Sequence, residues 1–417
     1  MTEAAQIPAH VPKDRVYRFD FRNDPLFFGD PHVGLDRLAQ TAPGIFYTPE
    51  NGGHWVVIDY DACIEISRAH EEFSNANTDI PRIASPQRLL PTNVDPPESL
   101  PYRALLTRHL GPRKIAALEG RIRTYTRDLI CAFVAEGRCD FVFDLAAPLP
   151  AMIFMEQAGM PVARLREFQA LVRRYLESPT IEERGRVNQE ILAVVARLIR
   201  DKRGVPGTDI ITDIVTTEIN GRRLSDGEAT SMVFLIFLAG LDTVVSALTF
   251  SMKHLAGDPA LQTRLHARPA DIAPFIEEAL RRYGIAPNYR VVTRDVKRCG
   301  VAFRKGDMVL GFLPVAGLDP KVAPEPLRFD VDRPQHPHLT FSTGPHGCLG
   351  RHLAMMELRV VFEEWLKLIP SWRADRTPCR GHGGAVIGIE SLPLSWSVRG
   401  AAVASSEPSA GGAGMPW

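Results

Sequence analysis

The chain has 417 residues, 45% of them hydrophobic, so it can bury a large core as one large domain or as two ordinary ones. Lysine plus arginine and aspartate plus glutamate each total 49, and this balance gives no reason to expect nucleic acid or an acidic membrane surface as the main partner. Residues 1–16 carry an acidic residue and prolines where a signal peptide would need a basic start and an apolar core, so we expect a cytoplasmic protein.

The first hundred residues are predicted to mix strands with helices. Alternating runs at 44–49 and 54–60 are separated by the turn-forming ENGG, which predicts two paired strands, and a helical pattern follows them. From 101 to 368 the helical period dominates, with the clearest stretches at 117–137, 188–202 and 271–284. Strand patterns return after residue 288, and a further helix is predicted after residue 350.

No linker composition divides the chain, so the sequence predicts one α-rich domain with a small sheet-rich lobe. Residues 400–417 are rich in Ala, Gly, Ser and Pro and are predicted to form a disordered tail. The six cysteines lack the Cys-x-x-Cys spacing of a zinc site, which favours reduced thiols over a disulfide framework.

The run FLIFLAGLDTVVSALTF, residues 234–250, is strongly apolar yet carries Gly240, Asp242 and Thr243 at its centre. A capping box of Ser225 and Glu228 predicts a helix of about 30 residues that ends before the next proline. A membrane span has the right length, but the central Asp242 and the lack of a second such segment argue against it. Two interpretations of this segment stay open: a core helix whose polar residues are hydrogen-bonded to neighbours, and a functional site.

The segment FSTGPHGCLG, residues 341–350, places three glycines around Cys348 just before the helix predicted after residue 350. Glycines allow a tight loop that comes close to a flat ligand, and a helix N-terminus favours the thiolate, the form of cysteine that binds metal. An isolated cysteine is more often an inert buried residue, so the functional interpretation depends on its context.

That context is a resemblance to the cytochromes P450, carried by three motifs in the order of that family. Phe341, Gly344, Cys348 and Gly350 match the FxxGxxxCxG haem-binding loop. Residues 239–243, AGLDT, match the oxygen-binding helix motif, and Glu278 with Arg281 matches the ExxR motif, whose spacing puts both side chains on one helical face. The resemblance runs from about residue 20 to 397. Within the family, the chain resembles most the bacterial camphor 5-monooxygenase branch. The segments that carry this resemblance are GLDTVV, PTNVDPP, HLTFSTGPHGCLG and ESLPLSW.

The resemblance implies a triangular single domain over 20–399, mainly α with small β-sheets (α+β), preceded by an N-terminal extension over 1–19. Haem b would lie between the long helix and the cysteine loop, with Cys348 as the proximal ligand of the iron. Phe341 would shield the sulfur, and Gly344 and Gly350 would complete the loop. Three further residues match contacts of the haem propionates: His346, Arg103 and Arg290.

The same resemblance gives the polar residues of the long helix a role. Gly240 matches a point where the helix loosens beside the haem, Thr243 would hydrogen-bond bound oxygen, and Asp242 would relay protons. The implied reaction is monooxygenation, in which one atom of O2 enters a C–H bond and the other leaves as water, with two electrons ultimately from NAD(P)H. A haem-thiolate ligand or gas sensor and a peroxygenase are the alternatives, and neither needs Asp242 and Thr243.

The sequence offers no flavin or iron–sulfur motif, so electrons are expected from separate proteins. The resemblance implies a [2Fe–2S] ferredoxin reduced by a flavoprotein ferredoxin reductase. Arg108, Arg113 and Lys114, with Arg351, are predicted to form a basic patch for that acidic partner, although a plain solvated surface is the alternative for each. We further expect a monomer that binds neither membrane nor nucleic acid.

The substrate pocket is expected to be aliphatic, because the positions that match family substrate contacts are Leu235, Leu238, Ala239, Ala286 and Val386. The camphor branch has a tyrosine before PTxxDPP that donates to the ketone, whereas residues 79–101 contain none. The matching position is Gln87, or Arg88 if the gap shifts, and neither supplies a rigid aromatic wall. The sequence therefore favours a terpenoid or norisoprenoid of about ten to fifteen carbons, an ionone-like ketone above all, with camphor bound poorly.

Overall fold

The computed structural model describes residues 5–82, 88–160, 164–176, 181–240, 242–375 and 380–398. Helices dominate it, in agreement with the predicted mainly α class. Within these residues the α-helices are α1 Pro31–Thr41, α2 Tyr60–Arg68, α3 Ser99–Leu110, α4 Pro112–Ala116, α5 Glu119–Phe133, α6 Pro148–Gln157, α7 Leu165–Leu176, α8 Ile181–Lys202, α9 Ile210–Thr216, α10 Asp226–Ala239, α11 Thr243–Ala256, α12 Pro259–Ala267, α13 Ile272–Arg282 and α14 Arg351–Leu368.

The strands are short and form one larger sheet and several small ones. They are β1 Ile45–Thr48, β2 His54–Val57, β3 Phe73–Ser74, β4 Arg138–Asp140, β5 Glu218–Ile219, β6 Arg222–Arg223, β7 Asn288–Val292, β8 Val296–Arg298, β9 Val301–Phe303, β10 Met308–Gly311, β11 Arg373–Ala374, β12 Gly381–His382, β13 Gly388–Ile389 and β14 Pro393–Ser395. The five-stranded sheet has the order β1-β2-β10-β7-β3, the three-stranded sheet has the order β11-β14-β4, and β12-β13, β5-β6 and β8-β9 are hairpins.

The first two strands confirm the pairing that the sequence predicted. β1 and β2 are antiparallel, with Ile45 opposite Val57, and ENGG supplies the turn between them. The segment before β1 follows this sheet, because the Tyr17 N–H donates to the Tyr47 carbonyl over 3.0 Å and Phe19 is buried in the main core. The predicted tail at 400–417 lies outside the described residues.

The long apolar segment is two helices instead of the single helix predicted from its capping box. The box itself is confirmed, since Ser225 accepts from the Glu228 N–H and the Glu228 side chain accepts from the Ser225 N–H. The helical pattern ends at Ala239 and resumes at Thr243, because Asp242, with φ −124° and ψ −38°, departs from helical geometry. The polar residues at the centre of the run therefore mark a break between α10 and α11.

The break lies where the chain passes from one hydrophobic core to another. The buried side chains of α10, including Phe234 and Phe237, belong to a core with α3, α8 and α9. Those of α11, including Leu248 and Phe250, belong to the main core with α13, α14 and the larger sheet. Asp226–Ala256 is apolar and long enough to cross a membrane, but 59% of its most apolar window is buried in the protein, as in a core helix.

Two buried glutamates on α14 have opposite electrostatic surroundings. Glu364 contacts Arg123 and Arg127 of α5 and lies 2.8 Å from the Lys367 ammonium; burial alone would raise its pKa, but these cations lower it to about 2. The Glu357 side chain is 1% exposed, and its Oε2 has no hydrogen-bond partner among the described residues. Burial raises the pKa of Glu357 to about 8.

Glu357→Gln is expected to remove a loss of stability that the wild type shows as pH rises. The unfolded chain releases this proton near 4.5, whereas the folded protein keeps it until about 8. Between these values the unfolded state binds fewer protons, so the free energy of unfolding falls with pH, by at most about 1.4 kcal/mol per pH unit. Glutamine cannot ionise. The Tm of the variant relative to the wild type should therefore increase from about pH 5 to pH 8.

The control is Glu136→Gln, which neutralises an exposed glutamate that follows α5. Its Tm should follow that of the wild type at every pH. If the Glu357→Gln and wild-type Tm curves ran parallel across the same range, the raised pKa of Glu357 would be wrong.

Candidate functional site

The cysteine loop is closed by its own backbone before α14 begins. The Cys348 N–H donates to the Phe341 carbonyl over 2.9 Å, and the Gly347 N–H donates to the Gly344 carbonyl over 3.1 Å. Gly344 has φ +72°, and a Cβ there would lie 2.9 Å from the backbone oxygen of Ser67 at the end of α2. Glycine is therefore required at this position both by conformation and by the close approach of another backbone.

Cys348 lies deep in the protein, yet its side chain is accessible to solvent, which is the combination expected on the wall of an internal cavity. Burial raises the pKa of its thiol. The backbone N–H groups of Gly350 and Arg351 and the charge of Arg103 act in the opposite direction and favour the thiolate. The guanidinium of Arg351 lies 5.5 Å from the centre of the Phe341 ring, so this ring borders the same loop.

Three cationic or ionisable groups converge beside the loop. Arg103 of α3 donates from Nη2 to the Gly347 carbonyl over 2.6 Å. Arg290 of β7 is 1% exposed; its Nη1 donates to the Tyr289 carbonyl, while Nε and Nη2 have no partner among the described residues. The Nε2 of His346 lies 2.9 Å from Asp95 Oδ1, and its buried Nδ1 has no partner there either. Burial lowers the pKa of Arg290 to about 10.

The break between α10 and α11 carries the other predicted polar residues. The Thr243 hydroxyl donates to the Ala239 carbonyl over 3.2 Å, which leaves its oxygen lone pairs able to accept a hydrogen bond. Asp242 precedes α11 without capping it, so its carboxylate is not committed to the helix N-terminus. Burial raises the pKa of Asp242, and His382 partly opposes this effect. Gly240 ends α10, where its N–H still donates to the Ile236 carbonyl over 3.3 Å.

The predicted substrate contacts are all at least partly accessible, and Ala239 is exposed. They are Leu235, Leu238 and Ala239 on α10, Ala286 just before β7, and Val386 between β12 and β13. Gln87 lies outside the described residues. The Arg88 side chain forms an ion pair with Glu98, and both residues border a surface cavity of about 600 Å³. Arg88 is therefore already engaged on the surface.

The predicted basic patch is smaller than expected. Arg113 and Lys114 on α4 and Arg351 at the start of α14 are exposed, and α4 packs against α14. Arg108 instead reaches Asp213 of α9 over 3.4 Å, because α3 lies next to that acidic helix.

Glu278 and Arg281 form a fully buried bidentate pair on α13. Arg281 Nε and Nη2 each donate to a Glu278 oxygen over 2.7 Å, and both side chains are 0% exposed. The remaining donors of Arg281 reach three backbone carbonyls, those of Gly317, Pro326 and Arg328. Burial alone would raise the pKa of Glu278, but Arg281 and His336 lower it to about 2. The pair thus ties α13 to the segment after β10.

Nothing in the sequence singles out Asp95 within the PTNVDPP segment. Asp95 accepts from the Asn75 N–H over 3.1 Å and from the Ser74 hydroxyl, in addition to its contact with His346. An aspartate before two prolines gives only a turn signal in sequence, so its partners 20 and 251 residues away could not be inferred.

Similar known proteins all belong to one family. The sequence matches the family Cytochrome P450 over residues 123–268 and 273–368. A protein of Sinorhizobium fredii described as probable cytochrome P450 127A1 is 32% identical over 402 residues, which cover 94% of this chain and 97% of the relative.

Two crystal structures show the same architecture, those of CYP101J2 and of cytochrome P450 CYP101C1. Each superimposes with a TM-score of 0.86 and covers 94% of this chain and all of the other, at 35% and 30% identity respectively. The predicted fold class and family resemblance are thereby confirmed.

Proteins of this family are haem-thiolate iron enzymes, and the residues beside Cys348 fit that group. Arg290 and His346 carry buried nitrogens with no protein acceptor among the described residues, which suits the carboxylates of a haem. Accessible apolar side chains from both cores, such as Ala286 and Leu349, offer surface to a flat hydrophobic ring. The described residues contain no cluster of three or more His, Cys, Asp or Glu that could hold a metal ion.

Arg281→Met is expected to destabilise the protein by about 3–5 kcal/mol, because it leaves the Glu278 carboxylate buried without its partner. Arg281→Lys keeps the charge but loses the two parallel hydrogen bonds of the guanidinium to Glu278. An intermediate loss of stability is therefore expected. The measurements are urea unfolding followed by circular dichroism and the haem content of the purified protein.

The chain offers a matched control in Arg328→Met. Glu325 and Arg328 have the same spacing, but their side chains are 72% and 62% exposed, so the loss should be a small fraction of that at Arg281. Equal losses in the two variants would show that burial does not set the value of the α13 pair.

Proposed function

Because the chain belongs to the cytochrome P450 family, we propose that it is a ferredoxin-dependent haem-thiolate monooxygenase that hydroxylates a hydrophobic terpenoid or norisoprenoid. The observation that carries the proposal is the pairing of an accessible but deep Cys348 with a helix break that holds Asp242 and Thr243. A cysteine ligand and a polar break on a buried helix are together what O2-dependent chemistry requires of the protein.

The residues beside the cysteine loop would hold the haem. Cys348 would ligate the iron, with Phe341 beside the loop and Gly344 allowing its close turn. When bound, the haem supplies the activation of O2 that inserts one oxygen atom into a C–H bond and releases the other as water, with two electrons. Arg103, Arg290 and His346 would receive the propionates through nitrogens that face the same region.

Asp242 and Thr243 would control proton delivery. Burial raises the pKa of Asp242, so this carboxyl holds a proton more readily than an exposed aspartate and can pass it on. The Thr243 hydroxyl donates to Ala239 and can accept a hydrogen bond at the same time, which lets it orient a water or ligand. The break at Gly240 gives both side chains room that an unbroken helix would not.

We place electron entry on the face where α4 meets α14. Arg113, Lys114 and Arg351 are exposed there, and their charge would attract an acidic [2Fe–2S] ferredoxin that a flavoprotein reductase reduces. Arg108 is left out of this surface because it pairs with Asp213. A cytoplasmic location and a monomer remain predictions that follow from the sequence.

Thr243→Ala is expected to keep haem binding and the thiolate-type CO spectrum while diverting electrons from product to hydrogen peroxide. Without the hydroxyl, protons reach the site in a less controlled way, so product formed per NADH consumed should fall by roughly tenfold or more. The measurements are NADH consumption, product and peroxide in a system reconstituted with a surrogate ferredoxin and reductase.

Thr249→Ala is the matched control, since its hydroxyl also donates four residues back on α11, to Val245 over 2.7 Å, but is fully buried in the core. It should leave coupling unchanged, and Cys348→Ala should abolish the thiolate spectrum. Unchanged coupling in Thr243→Ala would remove Thr243 from the proposed proton path.

Substrate chemistry is tested by spin-state titration with ionones and with camphor. The partly exposed aliphatic residues, and the absence of a tyrosine between 79 and 101, favour a longer, hydrocarbon-rich ketone, so ionones should give the larger high-spin shift. Val386→Phe should weaken the ionone response by roughly tenfold if Val386 borders the pocket.

Val205→Phe, at a position 51% exposed, is the control and should leave the titration unchanged. A full shift and tightly coupled turnover with camphor, with no response to ionones, would overturn the substrate proposal while leaving the monooxygenase class intact.

A further inference from the structure

Asp95 is the meeting point of three segments that surround the proposed propionate site. Its Oδ2 accepts from the Ser74 hydroxyl of β3, and its Oδ1 accepts from the Asn75 N–H over 3.1 Å. Its backbone carbonyl accepts from the Ser99 N–H over 3.0 Å at the start of α3, the helix that carries Arg103. The carboxylate is therefore held in place before it contacts His346.

The contact with His346 fixes the orientation of the imidazole ring. Nε2 lies 2.9 Å from Asp95 Oδ1, and the His346 side chain is only 4% exposed. The opposite nitrogen, Nδ1, is buried without a partner among the described residues. Because the carboxylate holds Nε2, the ring presents Nδ1 on the side away from Asp95.

The charges around Asp95 are unbalanced within the described residues of this cluster. Arg103 and Arg290 are permanent cations, and Asp95 is close enough to act electrostatically on Arg290. Burial alone would raise the pKa of Asp95, but hydrogen bonds from His346, Ser74 and the Asn75 N–H outweigh burial and lower it. Two arginines would offset the charges of two haem propionates, while Asp95 contacts His346.

We propose that Asp95 is a positioning residue of the haem site, which holds His346 by Nε2 so that Nδ1 is presented to a haem propionate. Asp95 does not touch the cofactor in this arrangement; it acts through the imidazole, as second partners of ligating histidines do in metal sites. Its charge also contributes to the field at the haem, because net charge and hydrogen bonding near an iron centre set its reduction potential.

This inference rests on the proposed haem site, but separate experiments would refute the haem site and the role of Asp95. If the reduced wild-type protein with CO lacked the spectrum of thiolate ligation, the haem site itself would be wrong before any Asp95 variant was compared.

The test is Asp95→Asn in the haem-loaded protein. Asparagine can still accept from His346 and meet Ser74, but it removes the negative charge. Transfer of haem to apomyoglobin should become about 10- to 100-fold faster, and the reduction potential should rise because the reduced haem carries more negative charge. Haem transfer unchanged within about twofold together with an unchanged potential would overturn the proposal.

Asp209→Asn separates this role from general stability. Asp209 accepts a similar set of hydrogen bonds, from the hydroxyl and the backbone N–H of Thr212 and from the Lys202 ammonium. It lies at the start of α9. It should lower Tm without changing haem transfer or potential. If both variants changed haem transfer equally, Asp95 would be no more than a structural residue.

A double-mutant cycle with His346→Ala tests whether Asp95 acts through the imidazole. If it does, Asp95→Asn should add little to the haem-transfer rate once His346 is removed. Fully additive effects on the transfer rate would show that Asp95 does not act through His346, and would overturn the positioning role.

Discussion

The passage of one apolar segment through two hydrophobic cores is the constraint on which this structure depends. α10 is fixed by its Phe234 and Phe237 side chains in one core, and α11 by Leu248 and Phe250 in the other. Each half is buried strongly enough to tolerate a loss of helical hydrogen bonds between them. The break between α10 and α11 can therefore carry polar groups while both helices stay packed.

Beside the cysteine loop the constraint is electrostatic, because buried cations are costly unless they are paired. Arg290 is 1% exposed and leaves two guanidinium nitrogens without a partner among the described residues. Such an arrangement is stable only if an anion completes it, and a haem carries two carboxylates. In the proposed site, the two haem carboxylates would complete the cationic cluster.

Local features could be predicted from the sequence because they depend on neighbours in the chain. The turn ENGG fixed the pairing of β1 with β2, and the capping box of Ser225 and Glu228 marked the start of α10. Long-range contacts could not be predicted in the same way. Asp95 meets His346 across 251 residues, and Arg108 meets Asp213 across 105, which no local pattern encodes.

The helix break shows why periodicity alone misled. The apolar composition of the central part of residues 226–256 predicts one helix, and only φ and ψ at Asp242 reveal the interruption. The motif AGLDT indicated the functional position through family resemblance, whereas the capping box and the next proline set only the outer ends.

Burial decides what a sequence motif is worth. The chain contains the ExxR spacing at Glu278 with Arg281 and again at Glu325 with Arg328, and both pairs form ion pairs in the structure. The first is fully buried and joins α13 to three backbone carbonyls, whereas the second stays in solvent. Water screens the exposed pair, so only the buried one can hold distant segments in register. In α13 the spacing puts both side chains on one helical face, and the fold around that face buries the pair.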